Sequence, residues 1–131
     1  MNANRYFSVP YDGRNDVTIR LLRKRAGGIV AYGRWVALLG ILYDSDGIIR
    51  LEVPGMSELL QEELDFSSQD ELLAYLEDLA DLDLIDLAAY KERNHVINAG
   101  VVKEIDYYRA KSEAGKAGMK KRWAKKDDST T

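Results

Sequence analysis

Apolar and polar positions follow helical spacing along much of the chain, which is organised around Ala31 to Val53, and from Tyr32 to Tyr43 almost every residue is apolar or glycine. Tyr32, Val36, Leu39 and Tyr43 fall at i, i+4, i+7 and i+11, one face of a helix. Trp35, Leu38 and Leu42 make a second apolar face beside it, and Arg34 is the single charge between Tyr32 and Tyr43. A helix apolar on most sides has to be covered on most sides. This one is too short for a bilayer, which takes about 20 apolar residues. The pattern predicts the central helix of a small domain, with Tyr32, Trp35, Val36, Leu39 and Leu42 buried. Gly33 and Gly40 leave a strip without side chains where a neighbour can pack closely. Asp44-Ser45-Asp46-Gly47 is a turn signal. Ile49, Leu51 and Val53 then alternate with Arg50 and Glu52, as in a half-buried strand.

Ahead of this centre, Arg5 to Asp12 (RYFSVPYD) reads as extended, and Pro10 suits an edge strand or a strand end. Gly13 and Asn15 form a turn. Asn15 or Asp16 caps a helix to about Ala26, with Val17, Ile19, Leu21 and Leu22 as its apolar residues. Arg20, Arg23 and Lys24, at i, i+3 and i+4, make one basic face, and Gly27-Gly28 ends the helix. Behind the centre, Pro54-Gly55 breaks the strand, and Met56, Leu59, Leu60 and Leu64 define a helix ending near Asp65. Ser68-Gln69-Asp70-Glu71 fits a capping box and opens a helix to about Asp81. Leu72, Leu76, Leu79 and Ala80 face inward on it; Asp70, Ala74, Glu77, Asp78 and Asp81 face outward. Ile85, Leu87 and Ala89 alternate with Asp86 and Ala88 and predict a strand. Lys91 to Asn94 then make a polar loop and His95 to Asn98 the returning strand, a β-hairpin over 84–97. Asn98 is placed to cap a last helix carrying Val101, Ile105 and Tyr108. Residues 1–108 form the expected domain. Residues 109–131 form a basic, flexible tail in which Trp123 is the one aromatic residue.

Charge sharpens this picture. The 131 residues carry a formal net charge of -3, which conceals a segregation. Between Asp44 and Glu92 there are 15 acidic and 2 basic residues. Between Arg5 and Arg34 there are 7 basic and 2 acidic, and between Arg109 and Lys126 there are 8 basic and 1 acidic. Ends this basic suggest a polyanionic partner; the alternative is that each run is a solvated face.

Catalytic chemistry is missing from the pattern. There is no cysteine and a single histidine, so the usual nucleophilic triads and thiolate metal sites are excluded. His95 lies in the expected returning strand and reads as structural or solvent-facing. The carboxylates lie along helix faces without a histidine partner, so no metal site is expected. Asp44 to Gly47 lacks the later ligands of a calcium loop. Gly27-Gly28 lacks the lysine of a phosphate loop. The expectation is a non-enzyme without cofactor. Met1 to Pro10 is polar, which predicts no leader peptide, no membrane partner and a cytoplasmic setting.

The stretch YFSVPYDGRNDVTIRLLRKRAGGIVAYGRWVALLGIL resembles the opening of the N-terminal winged-helix domain of phage replisome organisers, DnaD-like replication initiation proteins. The matching features are the aromatic strand, Tyr11-Asp12, Arg14-Asn15-Asp16, the basic helix, Gly28, Tyr32-Gly33 and Trp35 to Leu39. SEAGKAGMKKRW is similar to the glycine- and lysine-rich linker that often follows such domains. The resemblance covers roughly Arg5 to Trp123. It implies an α+β fold, a winged helix-turn-helix with a C-terminal helix and basic tail, and a role in phage DNA replication. Two features depart from the pattern. The helix in the recognition position, Ser68 to Asp81, is acidic outward, and full organisers usually continue into a second domain, whereas this sequence stops at Thr131.

DNA is therefore the expected partner, through basic groups outside the recognition helix, because carboxylates facing phosphate repel it. The candidates are Arg14, Arg20, Arg23, Lys24 and Arg34 around the first helix, with Arg25 nearby. Lys91 and Arg93 stand at the expected wing tip. Lys111, Lys116, Lys120, Lys121, Arg122, Lys125 and Lys126 lie in the tail, where lysines contact phosphate without reading sequence. Trp123 either stacks on a base or packs back on the domain. A second expectation assigns the work to Asp70, Glu77, Asp78 and Asp81 as an acidic surface. Its partner would be a host replication factor, or a nucleic-acid-binding defence protein whose DNA site it mimics.

Overall fold

Every element packs, directly or through one neighbour, on the helix built from the apolar run. The computed structural model describes residue 7 and residues 9–129, with side chains for 7 and 9–114. A 3-10 turn at Gly13–Asn15 leads to α1 (Val17–Arg25). The Asp16 carboxylate starts α1 by accepting the N–H groups of Thr18 and Ile19 at 3.0 and 3.4 Å, which satisfies two donors that helix geometry leaves open. Gly27 and Gly28, at φ +100 and +79, close the helix and turn the chain through 115° into α2 (Ile29–Asp44). Among the described residues no single helix is long and apolar enough to cross a membrane.

On α2 the fully buried stripe is Ala31, Trp35, Leu38 and Leu42. The stripe of Tyr32, Val36 and Leu39, expected to be buried, is only half-buried. The difference follows from which neighbours exist. The buried stripe meets the main core, where Tyr75 donates from its hydroxyl to the Ala31 carbonyl at 2.8 Å. The half-buried side carries a thinner cover: Phe7 lies over Gly40 and stacks on Tyr43 at 5.0 Å. The described residues of the expected N-terminal strand, Phe7 and Val9 to Asp12, hold no strand, and Tyr11 and Asp12 are in a turn. Residues 1–6 and 8 of that stretch lie outside the described residues.

The chain then forms β1 (Ile48–Arg50), α3 (Met56–Glu63), α4 (Gln69–Asp81), α5 (Leu87–Arg93), β2 (His95–Ile97) and α6 (Ala99–Ser129). The result is a mostly helical α+β fold with one two-stranded antiparallel sheet. Ile48 faces Ile97, Ile49 faces Val96 and Arg50 faces His95; Ile49 and Val96 are buried. At α4 the capping box forms with a shift. Ser68 Oγ accepts the Glu71 N–H at 3.2 Å, while the Glu71 carboxylate accepts the N–H of Ser67, one residue earlier than the reciprocal bond.

The hairpin over 84–97 is not present. Its returning strand exists, but its partner is β1, and Leu87–Arg93 is helical. Asp86 is a helix cap whose carboxylate accepts the Ala89 N–H at 2.8 Å, and Leu-Ala-Ala-Tyr-Lys-Glu-Arg is built of good helix formers. Ile85, Ala89 and Tyr90 are buried while Leu87 is 41 % exposed, a helical spacing and not a two-residue period. Asn94, in the left-handed region at φ +56, ends α5 and releases β2.

Asn98 joins these parts. Its amide donates to the Leu84 carbonyl at 2.7 Å and accepts the Val101 N–H at 2.9 Å, capping α6. Val101 is buried, and Val102 and Ile105 sit on Gly47, whose positive φ and lack of a side chain let α6 approach the turn. Tyr43 bonds Glu104, and Arg109 pairs with Asp46 at 2.8 Å. The helix passes Arg109, the expected start of the tail, without a break. Every residue from Asp106 to Ala114 is exposed.

Candidate nucleic-acid interface

Helix α1 packs on α2 and α4 through Ile19 and Leu22, both buried. At 100° per residue the opposite side carries Arg20, Lys24 and Arg25, all exposed, with Val17 and Leu21 between them at 71 and 45 % exposure. The four apolar residues of α1 therefore divide into two faces. Lys24 and Arg25 also stand in the last turn, where positive charge complements the helix dipole.

Arg23, expected on the same basic face, turns toward the preceding turn. Its guanidinium donates to the Arg14 carbonyl at 3.2 Å, and its Nε is buried. Arg14 is exposed and donates to the Tyr11 carbonyl at 3.0 Å. Arg23 fastens the segment 11–16 to α1 and Arg14 braces that segment internally, leaving Arg20, Lys24 and Arg25 as the outward basic group of α1.

Arg34 is the clearest reassignment. Its Nε donates to the Leu64 carbonyl at 2.7 Å and its Nη2 to the Asp65 carbonyl at 2.8 Å. Its guanidinium carbon lies 3.9 Å from the centre of the Phe66 ring. These are the open carbonyls at the end of α3, where Phe66 N–H bonds Gln61 and Asp65 N–H bonds Glu62 in a Schellman arrangement. Phe66 in turn leans on Tyr75 at 5.3 Å. Arg34 thus binds the turn between α3 and α4 to the central helix, and a charge read as a phosphate contact is engaged within the fold.

Lys91 and Arg93 are exposed in the last turn of α5 and not at the tip of a wing. On α4, Asp70, Glu77 and Asp81 are exposed, as the spacing requires. Asp78 is half-buried beside a hollow of about 250 Å³ that Arg25, Arg34 and Tyr75 also line. The outer face of α4 accordingly presents carboxylate, with Asp78 in the wall of that hollow. Burial pushes the Tyr75 phenol well above its ordinary range, consistent with a donor held neutral at the Ala31 carbonyl. On α6, Arg109 is spent on Asp46 and Lys111 is exposed. The side chains of Lys116, Lys120, Lys121, Arg122, Trp123, Lys125 and Lys126 lie outside the described residues, on helical backbone. His95 bonds Glu52 at 2.9 Å, and this bond holds the Glu52 carboxyl below its usual range.

Sequence reasoning missed that α1 exposes Val17 and Leu21 between its basic groups. The signal was available: Ile19 and Leu22, not Val17 and Leu21, lie opposite Arg20 and Lys24 on a helical wheel. Comparison with family models, with curated proteins and with solved structures gives no match.

Proposed function

We propose that this chain is a DNA-binding protein of the phage replisome-organiser type, a binder and not an enzyme, which holds DNA by α1 and the second half of α6. The carrying observation is the outward face of α1. Arg20, Lys24 and Arg25 are exposed there, with no ion pair among the described residues. The helix in the recognition position, α4, offers Asp70, Glu77 and Asp81 instead. Phosphate attracts the first surface and is repelled by the second. The order α2, β1, α3, α4, β2 supports a winged-helix variant in which α5 stands where the wing would be. Exposed lysine and arginine on α1, and the lysine-rich sequence of α6, suit contacts that position the protein on the backbone without reading bases.

Fluorescence anisotropy with duplex and single-stranded DNA, at several salt concentrations, tests the reading. Replacing Arg20, Lys24 and Arg25 by alanine removes three phosphate contacts and should flatten the duplex log-affinity versus log-salt slope by about 2.7. Ending the chain after Ala114 keeps Val101, Ile105 and Arg109 in place. If the removed segment touches about five phosphates, the slope should flatten by about 4.5. Changing Glu77 and Asp81 to glutamine should leave affinity equal or tighter. No binding at low salt, or slopes untouched by both basic variants, would refute the proposal and make the acidic face of α4 the leading surface.

A further inference from the structure

Between α2 and α3 runs a groove that the DNA reading does not use. On α2, Val30, Ala37 and Ile41 line it, with Arg34, whose guanidinium is engaged on the Leu64 and Asp65 carbonyls; on α3, Met56 and Leu59 do, with Glu63 shared by its two adjoining hollows of about 560 and 210 Å³. Val30 is 54 % and Leu59 57 % exposed. Asp44 and Asp65 stand at the two ends. Val30 to Asp44 is 15 residues of helix, a rise of about 21 Å. A trough of that length with an apolar floor and three carboxylates, Asp44, Glu63 and Asp65, against the one engaged guanidinium of Arg34 fits an amphipathic helix whose apolar side is bordered by cations.

The chain contains such a helix. On the helical backbone of α6, Met119 and Trp123 are four residues apart and so share a face. Residues 115–126 hold six lysines and arginines and no acidic residue. That segment follows a stretch of helix whose residues, Asp106 to Ala114, are all exposed. Its helix packs on the domain through Val101 and Ile105, is tied down at Glu104 and Arg109, and continues unbroken. Trp123 is 14 residues beyond Arg109, about 21 Å further along the axis.

We propose that the groove between α2 and α3 is a self-association site that receives the basic second half of α6 from a second copy of this chain. The contact is head-to-tail: each copy offers one groove and one helix, so the arrangement extends beyond a dimer or closes into a ring. The same basic segment cannot engage DNA and a groove at once, so added DNA dissolves the assembly. The groove experiment is run without DNA and does not depend on the DNA reading.

Sedimentation of the full chain, from micromolar to near-millimolar, tests this at about 0.05 M and about 0.5 M salt, where screening differs severalfold. At low salt the weight-average mass should rise to at least twice the 14.8 kDa monomer, and at high salt it should return to the monomer. Ala37→Arg blocks the groove with bulk and like charge at an exposed position; Leu59→Lys is a second groove variant on the other wall. Trp123→Ser blocks the helix. Each variant alone should stay monomeric. An equimolar mixture of Ala37→Arg and Trp123→Ser retains one intact groove and one intact helix, and should give a dimer and nothing larger. Four results would overturn the proposal. The first is a monomeric parent at low salt. The second is a mixture that stays monomeric. The third is a groove variant that melts earlier without changing mass, which places a segment of the same copy in the groove. The fourth is a Trp123→Ser protein that loses DNA but keeps its mass, which gives the segment to DNA alone.

Discussion

Arg34→Met separates a fold role from a binding role at one residue. Methionine keeps the apolar stem and removes the guanidinium. Lost with it are the bonds to the Leu64 and Asp65 carbonyls, at 2.7 and 2.8 Å, and the cation over the Phe66 ring at 3.9 Å. Leu64 is buried, so its carbonyl is poorly placed to recover a water; Asp65 is exposed and recovers one. The Leu64 bond therefore contributes about 1–1.5 kcal/mol and the Asp65 bond about 0.5. The ring contact adds about 0.5–1 kcal/mol at a half-exposed site. The expected loss is about 2–3 kcal/mol. For a domain of this size, at about 3–5 °C per kcal/mol, the melting temperature should fall by about 6–15 °C. Thermal and urea unfolding followed by circular dichroism measures it. Arg34→Lys keeps the charge but not the planar fork, and should lose about half as much. DNA binding by the folded protein should be unaltered in both. A melting temperature unchanged in Arg34→Met, together with a salt slope flattened by about 0.9, would show that Arg34 meets a phosphate and does not clamp α3.

Three further outcomes follow from the packing. Leu38→Ala, at a fully buried site, should cost about 3–5 kcal/mol, and Leu39→Ala, at a half-buried one, about 1–2; the reverse order in urea unfolding would refute the stripe assigned to α2. Asp83 sits in the left-handed region at φ +62, one residue past the cap of α4, where its carboxylate also faces the negative end of the helix dipole. Asp83→Gly should therefore stabilise by about 0.5–1 kcal/mol, and a lowered melting temperature would count against that account. The Glu52 carboxyl is held below its ordinary range chiefly by its bond to His95, so its contribution is present above the unfolded pKa and is lost as pH falls through the folded one. Glu52→Gln should be less stable than the parent near neutrality and converge with it in acid; parallel stability curves across that range would exclude the linkage.

Some of this protein was legible residue by residue because its signals are local. Asp16, Ser68 and Asn98 cap the helices they precede, since a cap bonds backbone groups two or three residues away. The acidic outward face of α4 follows from spacing on one helix. The strand expected over Ile85 to Ala89 failed at the limit of the same logic. Five residues of alternation do not separate a strand from a capped helix, and here the Asp86 carboxylate bonds the Ala89 N–H and starts α5, while the Asp86 N–H donates to the Ile97 carbonyl of β2.

What no window of sequence contained was which surfaces meet. Two apolar stripes on α2 look alike in the sequence, and only the arrival of α4 with Tyr75 made one of them the core. Arg34 is a lone cation in an apolar run until the end of α3, some 30 residues away, brings it two carbonyls and a ring. Periodicity reports which side of an element avoids water. The identity of its partner depends on contacts between residues far apart in the chain, and those form only when the elements are packed together.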